Sequence, residues 1–165
     1  MAKPNHLRPV QQRGIVAAHA KLTNMLAKSQ RGEKLTTRDR LFLANVAPGT
    51  GKTWLALMIS ELALRVGVAK NIIWLTPRTN LCKQLELITI EQTSALSQKS
   101  FPGEICHRQN KPPFLDTSRA VQIGYTITYA SAVTRPELHE LEIAKNDYVL
   151  VLDEAQQLGA STQST

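Results

Sequence analysis

Apolar positions recur along this chain in two rhythms. Ile15, Ala18, Leu22, Met25 and Leu26 keep helical spacing within residues 11–29, with Arg13, Lys21 and Asn24 elsewhere on the wheel, which predicts a first helix. Short apolar runs then alternate with further helical stretches. Leu41 to Val46 predicts a strand, and Thr53 to Val66 predicts a helix that ends at Gly67, a natural left-handed cap. Asn71 to Thr76 is continuously apolar, as strands buried on both faces of a parallel sheet are, and Pro77 closes it. Leu81, Leu85 and Ile88 then predict a helix to about Gln92. Val121 to Tyr129, interrupted by Gly124, predicts a third strand, Pro136 to Ile143 a short helix, and Tyr148 to Leu152 a fourth strand. Strand and helix in alternation predict an α/β fold, a doubly wound parallel sheet flanked by helices.

Between these elements, Ser29 to Arg40 is polar and reads as a loop. Thr93 to Arg119 has no period and reads as a long surface connection with at most a short strand. Gly159 to Thr165 is small and polar, as a frayed end would be. No internal repeat or low-complexity tract stands out.

Composition narrows the picture. At 165 residues the chain fits one domain with a buried core. Its net charge of +7 is concentrated: residues 1–40 hold nine basic side chains against Glu33 and Asp39, so this segment alone accounts for the excess. Such a basic helix and loop suit a polyanion partner, and equally suit a solvated helix face. Cys82 and Cys106 supply neither a disulfide framework nor the four ligands of a structural zinc, and Cys82 falls in an apolar helical pattern as a core residue. His6, His19, His107 and His139 have no metal-ligand spacing. No stretch approaches a membrane span and the amino terminus lacks the apolar block of a secretory signal, so the chain reads as cytoplasmic.

The candidate chemistry lies at two strand ends. Val46-Ala47-Pro48-Gly49-Thr50-Gly51-Lys52-Thr53 leaves the first predicted strand and enters the next helix, the context of a phosphate-binding loop. Gly49 and Gly51 allow backbone amides to turn towards phosphate oxygens, with Pro48 and Thr50 completing the loop. Lys52 reaches the β- and γ-phosphates, and the Thr53 hydroxyl is placed to ligate magnesium at the positive end of the helix. A glycine turn before a charged helix start would share this composition; strand, loop and helix together favour the nucleotide. Val46 stands where glycine is usual.

Asp153 and Glu154 follow the fourth predicted strand at its carboxyl end, where open α/β sheets place ligand chemistry. Asp153 would hold the magnesium that bridges the phosphates, and Glu154 would orient or deprotonate the attacking water. A solvent-facing acidic turn is the bland reading of the pair taken alone.

These stretches, with several others, resemble the first RecA-like domain of superfamily-two helicases and translocases, the DEAD/DEAH-box relatives that include restriction-enzyme motor subunits. Leu7-Arg8-Pro9-Val10-Gln11 is similar to their amino-terminal adenine-sensing motif, which implies that the Gln11 amide reads the adenine edge. Thr76-Pro77-Arg78-Thr79-Asn80-Leu81-Cys82-Lys83-Gln84 resembles motif Ia, and Thr128-Tyr129-Ala130-Ser131 resembles the Thr-Tyr-x-Ser element. Asp153-Glu154-Ala155-Gln156 stands as motif II, with Gln156 in place of the usual histidine or aspartate that couples nucleotide state to the partner domain.

The resemblance covers nearly the whole chain. It implies a RecA-like phosphate-loop domain spanning residues 1–165 that uses ATP and Mg2+, with Lys52 and Glu154 catalytic. Arg78, Thr79 and Thr128 become contacts to one nucleic-acid backbone, with DNA favoured over RNA. It further implies an incomplete carboxyl end, a gap in the sheet where a motif III strand would insert between the strands bearing motifs I and II, and a second RecA-like domain in cis or in trans. That domain supplies an arginine worth on the order of a thousandfold or more in rate, so slow turnover is expected of this chain alone. Two other classes stay open: a non-catalytic nucleotide-binding interaction module, and an AAA-type phosphate-loop ATPase.

Overall fold

Helix α1 spans Pro9–Gln30. Pro9 suits its first position, because the fixed φ of proline is already helical and the missing N–H would have had no partner there. The computed structural model describes residues 7–94, 101–108, 112–115 and 122–158. The chain divides into two compact units, Met1–Ala69 and Lys70–Thr165.

In the first unit α1 packs on α3, Lys52–Val66. The contact is close at Gly14, where a Cβ would lie 3.0 Å from a Leu55 methyl. Helix α3 ends as expected at Gly67, in the left-handed region at φ 82°.

Two expectations for this unit need correction. The polar segment Ser29 to Arg40 is not wholly a loop, since Thr37–Arg40 forms a short helix α2. Its start is a reciprocal cap: Asp39 N donates to Thr36 Oγ1 at 3.2 Å, and Thr36 N donates to Asp39 Oδ2 at 2.9 Å. Lys28 Nζ adds a 2.7 Å bond from α1 to Asp39 Oδ1. Lys28 and then Thr36 hold the Asp39 carboxyl well below the usual carboxylate range.

The second correction is that Leu41 to Val46 is not a strand. An apolar run becomes a strand only when a neighbour takes its ladder groups, and no described segment pairs with it. Leu41 and Leu43 are accordingly 60% and 82% exposed.

The second unit carries the sheet. Strands β1 (Asn71–Thr76), β2 (Glu104–His107), β3 (Gln122–Thr128) and β4 (Tyr148–Leu152) lie in the order β2-β3-β1-β4, and every pairing is parallel. Three of the predicted strands appear with nearly their predicted bounds. Strand β1 sits between β3 and β4, so Ile72, Ile73 and Trp74 are all buried, as its unbroken apolar run requires.

Side chains alternate across the sheet. On one face α4, Thr79–Ser94, packs over β1, β2 and β3, with Cys82 fully buried against Thr76. On the other, Ile73, Phe114, Tyr125 and Ile127 form a cluster joined by Ala132 of α5 (Tyr129–Thr134) and Leu138 of α6 (Pro136–Lys145). Phe114 and Tyr125 stack at 4.8 Å.

Residues 93–119 contribute more than a surface connection. Ile105 and Cys106 of β2, with Phe101 and Phe114, are buried among the described residues of this stretch. Their apolar positions have no period, so only tertiary pairing reveals them. Ile105 N donates to Thr89 Oγ1 at 3.1 Å, which ties β2 to α4. Gly124 interrupts β3 for a reason: a Cβ there would run into the Ile72 carbonyl of the neighbouring strand.

Among the described residues β4 pairs only with β1, and its Leu150 and Leu152 are exposed. The gap expected between the strands of motifs I and II does not arise as such, since Leu41 to Val46 forms no strand. The expected frayed end, Gly159 to Thr165, lies outside the described residues.

Candidate nucleotide site

Ala47 to Gly51 closes as a turn, with Thr50 donating to Ala47 O from Oγ1 at 2.6 Å and from N at 3.4 Å. Gly49 and Gly51 have φ of 75° and 84°, a region that costs side-chain-bearing residues roughly 1–2 kcal/mol. Lys52 is the first residue of α3 and Thr53 the second. The N-cap residue Gly51 offers no side-chain cap to this 15-residue helix, and its first turn holds no acid. Pro48 and Gly49 are exposed on the loop.

Gln11 lies behind the loop and is 2% exposed. Its Oε1 accepts from Arg8 N at 3.0 Å, and its Nε2 donates to Gly51 O at 3.3 Å. Arg8 Nη1 donates to Gly49 O at 2.5 Å. The amino-terminal motif and the phosphate loop are therefore joined through two loop carbonyls.

In the second unit the candidates gather at the carboxyl ends of adjacent parallel strands. Thr76 and Thr128 are register partners at the ends of β1 and β3, and Asp153 N donates to Leu75 O at 2.9 Å one residue beyond β4. Arg78 and Thr79 are exposed just past β1. Thr128 is buried, and its hydroxyl caps α5 by accepting from Ser131 N at 3.1 Å while donating to Ser131 Oγ at 2.9 Å.

Glu154 adopts φ 55°, unusual for a residue with a side chain and a form of strain that collects at functional turns. Gln156 Nε2 donates to Glu154 Oε2. A 3₁₀ turn, Ala155–Leu158, follows.

Sequence reasoning missed the role of Tyr129. Its hydroxyl reaches across the end of β1 and donates to Asp153 O at 2.8 Å. Burial first, then the charges of Asp153 and Glu154, push its phenol up to about 12, so it remains a donor at neutral pH. Its place in the Thr-Tyr-x-Ser stretch was the available signal, but no spacing rule connects it to residue 153.

Lys52 and Thr53 belong to the first unit, and Asp153 and Glu154 to the second. Among the described residues no three His, Cys, Asp or Glu side chains cluster as a metal cage, and no helix is long and apolar enough to cross a membrane.

A parallel α/β sheet flanked by helices, with a glycine-turned loop entering a helix, defines a RecA-like phosphate-loop domain. Residues 5–164 match the family described as type III restriction enzyme, res subunit, and the chain belongs to that family. This is a family of helicase-like, ATP-dependent motor domains, and the match agrees with the superfamily-two resemblance. Neither the curated proteins nor the solved structures include a match to this chain.

Proposed function

We propose that this chain binds ATP with magnesium and, joined by a second RecA-like domain, couples ATP hydrolysis to movement along DNA. The observation that carries the reading is the Gly49–Gly51 loop delivering Lys52 to the uncapped start of α3. Two left-handed glycines and a helix start that carries Lys52 and no acid fit a triphosphate, which needs several amide donors and a nearby cation.

In this reading Pro48, Gly49, Thr50 and Gly51 shape the cradle, Lys52 pairs with the β- and γ-phosphates, and Thr53 and Asp153 serve the magnesium. A cation held mainly by phosphates and one or two side chains needs no protein cage, in keeping with the lack of an acidic cluster among the described residues. Bound magnesium neutralises charge on the phosphates. Glu154 orients water or takes its proton, and Gln156, bonded to the same carboxylate, steadies it.

The nucleic-acid contacts are Arg78 and Thr79, exposed at the end of β1, with Thr128 acting through the α5 cap it forms. Hydroxyls, amides and an arginine at strand ends suit a sugar-phosphate backbone without reading bases. Residues 1–165 form the ATP-binding domain of a cytoplasmic motor, with the basic helix α1 and its loop at the amino end.

Titration of the chain with a fluorescent ATP analogue tests the first step. Saturable, magnesium-dependent binding is expected, and Lys52→Ala should weaken it at least about tenfold. Equal binding by the variant would remove Lys52 from the site and the reading with it.

A further inference from the structure

We infer that the corner where α2 folds back on α1 is a second nucleic-acid surface, one that holds the phosphate backbone of double-stranded DNA. The inference rests on the DNA reading above and adds to Arg78, Thr79 and Thr128 a surface in the first unit that this reading does not use.

Two bonds build the corner. Lys21 and Lys28 stand about two turns apart on α1 and so share one face. Lys21 Nζ donates to Arg38 O at 2.6 Å and Lys28 Nζ to Asp39 Oδ1 at 2.7 Å, which lays α2 along that face. The reciprocal cap between Thr36 and Asp39 fixes where α2 begins. Arg38 and Arg40 are thereby carried on a braced backbone, and both are exposed, as is Lys34.

The charge at this corner is out of balance. Lys21 to Arg40 holds six cations and two acids. Both acids are already engaged, Asp39 by Lys28 and Glu33 by Arg31. Lys21 donates to a neutral carbonyl, and no carboxylate among the described residues pairs with Lys34, Arg38 or Arg40. A face that meets only solvent intersperses the two signs, because like charges side by side repel. Uncompensated cations gathered on a braced corner suit a polyanion instead.

The neighbouring chemistry selects the duplex backbone. No Phe, Tyr or Trp occurs before Phe42, so this stretch has no platform on which unpaired bases could stack. Ser29, Gln30, Thr36 and Thr37 are exposed along it and supply hydroxyl and amide donors of the kind that bond phosphate and sugar oxygens. The exposed Leu41 and Leu43 just after Arg40 make an anionic bilayer the competing partner.

The test is fluorescence anisotropy of the full chain with a short labelled duplex, without nucleotide, over a range of salt concentrations. Lys34→Ala, Arg38→Ala and Arg40→Ala together should weaken binding about tenfold or more and lower the slope of log affinity against log salt by about three, roughly one for each phosphate contact removed. Arg38→Lys with Arg40→Lys, which keeps the charge, should bind nearly as the unaltered chain does. Should the triple variant lose its fold, Arg38→Ala and Arg40→Ala singly, each expected to lower the slope by about one, carry the test. An equal loss from Arg65→Ala, Lys70→Ala and Lys145→Ala together would trace binding to net charge and overturn the inference. Tighter binding to phosphatidylserine vesicles, or to the single strand, than to the duplex would overturn it as well. Titration of the same variants with the ATP analogue keeps the two readings apart. Weakened duplex binding in the triple variant supports the corner even if the chain binds no nucleotide and the motor reading fails; unchanged duplex binding overturns it even if the nucleotide binds.

Discussion

The two stretches proposed to meet a nucleotide, one in each unit, are held in place by different means. In the phosphate loop of the first unit, which follows the non-strand stretch Leu41 to Val46, a turn and two left-handed glycines are joined by bonds from Gln11 of α1 and from Arg8 just before it. The acidic pair of the second unit is placed by sheet register, one residue past β4, with the backbone of Asp153 bonded to Leu75 and to Tyr129. A ladder distributes its support over many backbone bonds, whereas a clamp concentrates it in a few side chains. Small substitutions should therefore disturb the loop locally and the sheet cooperatively.

A pair of glycine substitutions gives the largest expected contrast. Gly124→Ala pushes a methyl into the Ile72 carbonyl, which cannot move without parting β1 from β3. We expect a loss on the order of 3 kcal/mol, read from urea denaturation followed by tryptophan fluorescence, since Trp74 is buried in β1. Gly51→Ala meets a side chain and a positive φ instead, with a cost of about 1–2 kcal/mol and weaker nucleotide binding. A larger loss from Gly51→Ala than from Gly124→Ala would break the comparison.

Next comes Tyr129→Phe, which removes only the hydroxyl that reaches Asp153 O. A stability loss of about 1 kcal/mol is expected by thermal or urea unfolding. The Lys52-dependent binding of the ATP analogue should persist, because this variant leaves the loop untouched. Loss of that binding with stability unchanged would mean that the two halves do not have separate supports.

The smallest effect concerns pH and the cluster under the sheet. His139 donates to or accepts from the Tyr125 hydroxyl at 3.0 Å, and burial lowers its pKa below the ordinary 6.5, against the opposing pull of Glu137 and Glu142. Between the folded value and 6.5 the unfolded chain binds more protons, so stability rises with pH there. The His139 contribution is complete above 6.5 and fades as pH falls through that window. Urea midpoints should be lower at pH 5.5 than at pH 7.5, and His139→Gln should flatten the difference; an unaltered difference would assign it to other groups.

Where one rhythm dominated, the sequence was legible. Asn71 to Thr76 and Tyr148 to Leu152 are apolar enough to be strands in almost any context, and both occur with those bounds. Helices α1, α3 and α4 follow their spacing, and Gly67 ends α3 as its position suggested. Leu41 to Val46 has the same apolar character yet forms no strand, since composition cannot supply a ladder partner. The stretch around Phe101, Ile105 and Phe114 erred the other way, with core residues hidden in a polar, aperiodic background.

The candidate site divides along the same line. Glycine, lysine and threonine at fixed spacing identify a phosphate loop because that chemistry is local, and the Asp-Glu pair after an apolar run is local too. The contacts of Gln11 with Gly51 and of Tyr129 with Asp153 join residues 40 and 24 positions apart, and nothing in either segment alone encodes the meeting. Sequence by itself determined which residue types stand at each strand and helix end. Tertiary structure alone decided which carbonyls those residues grip, because a hydrogen bond between distant segments exists only once packing has brought them within reach.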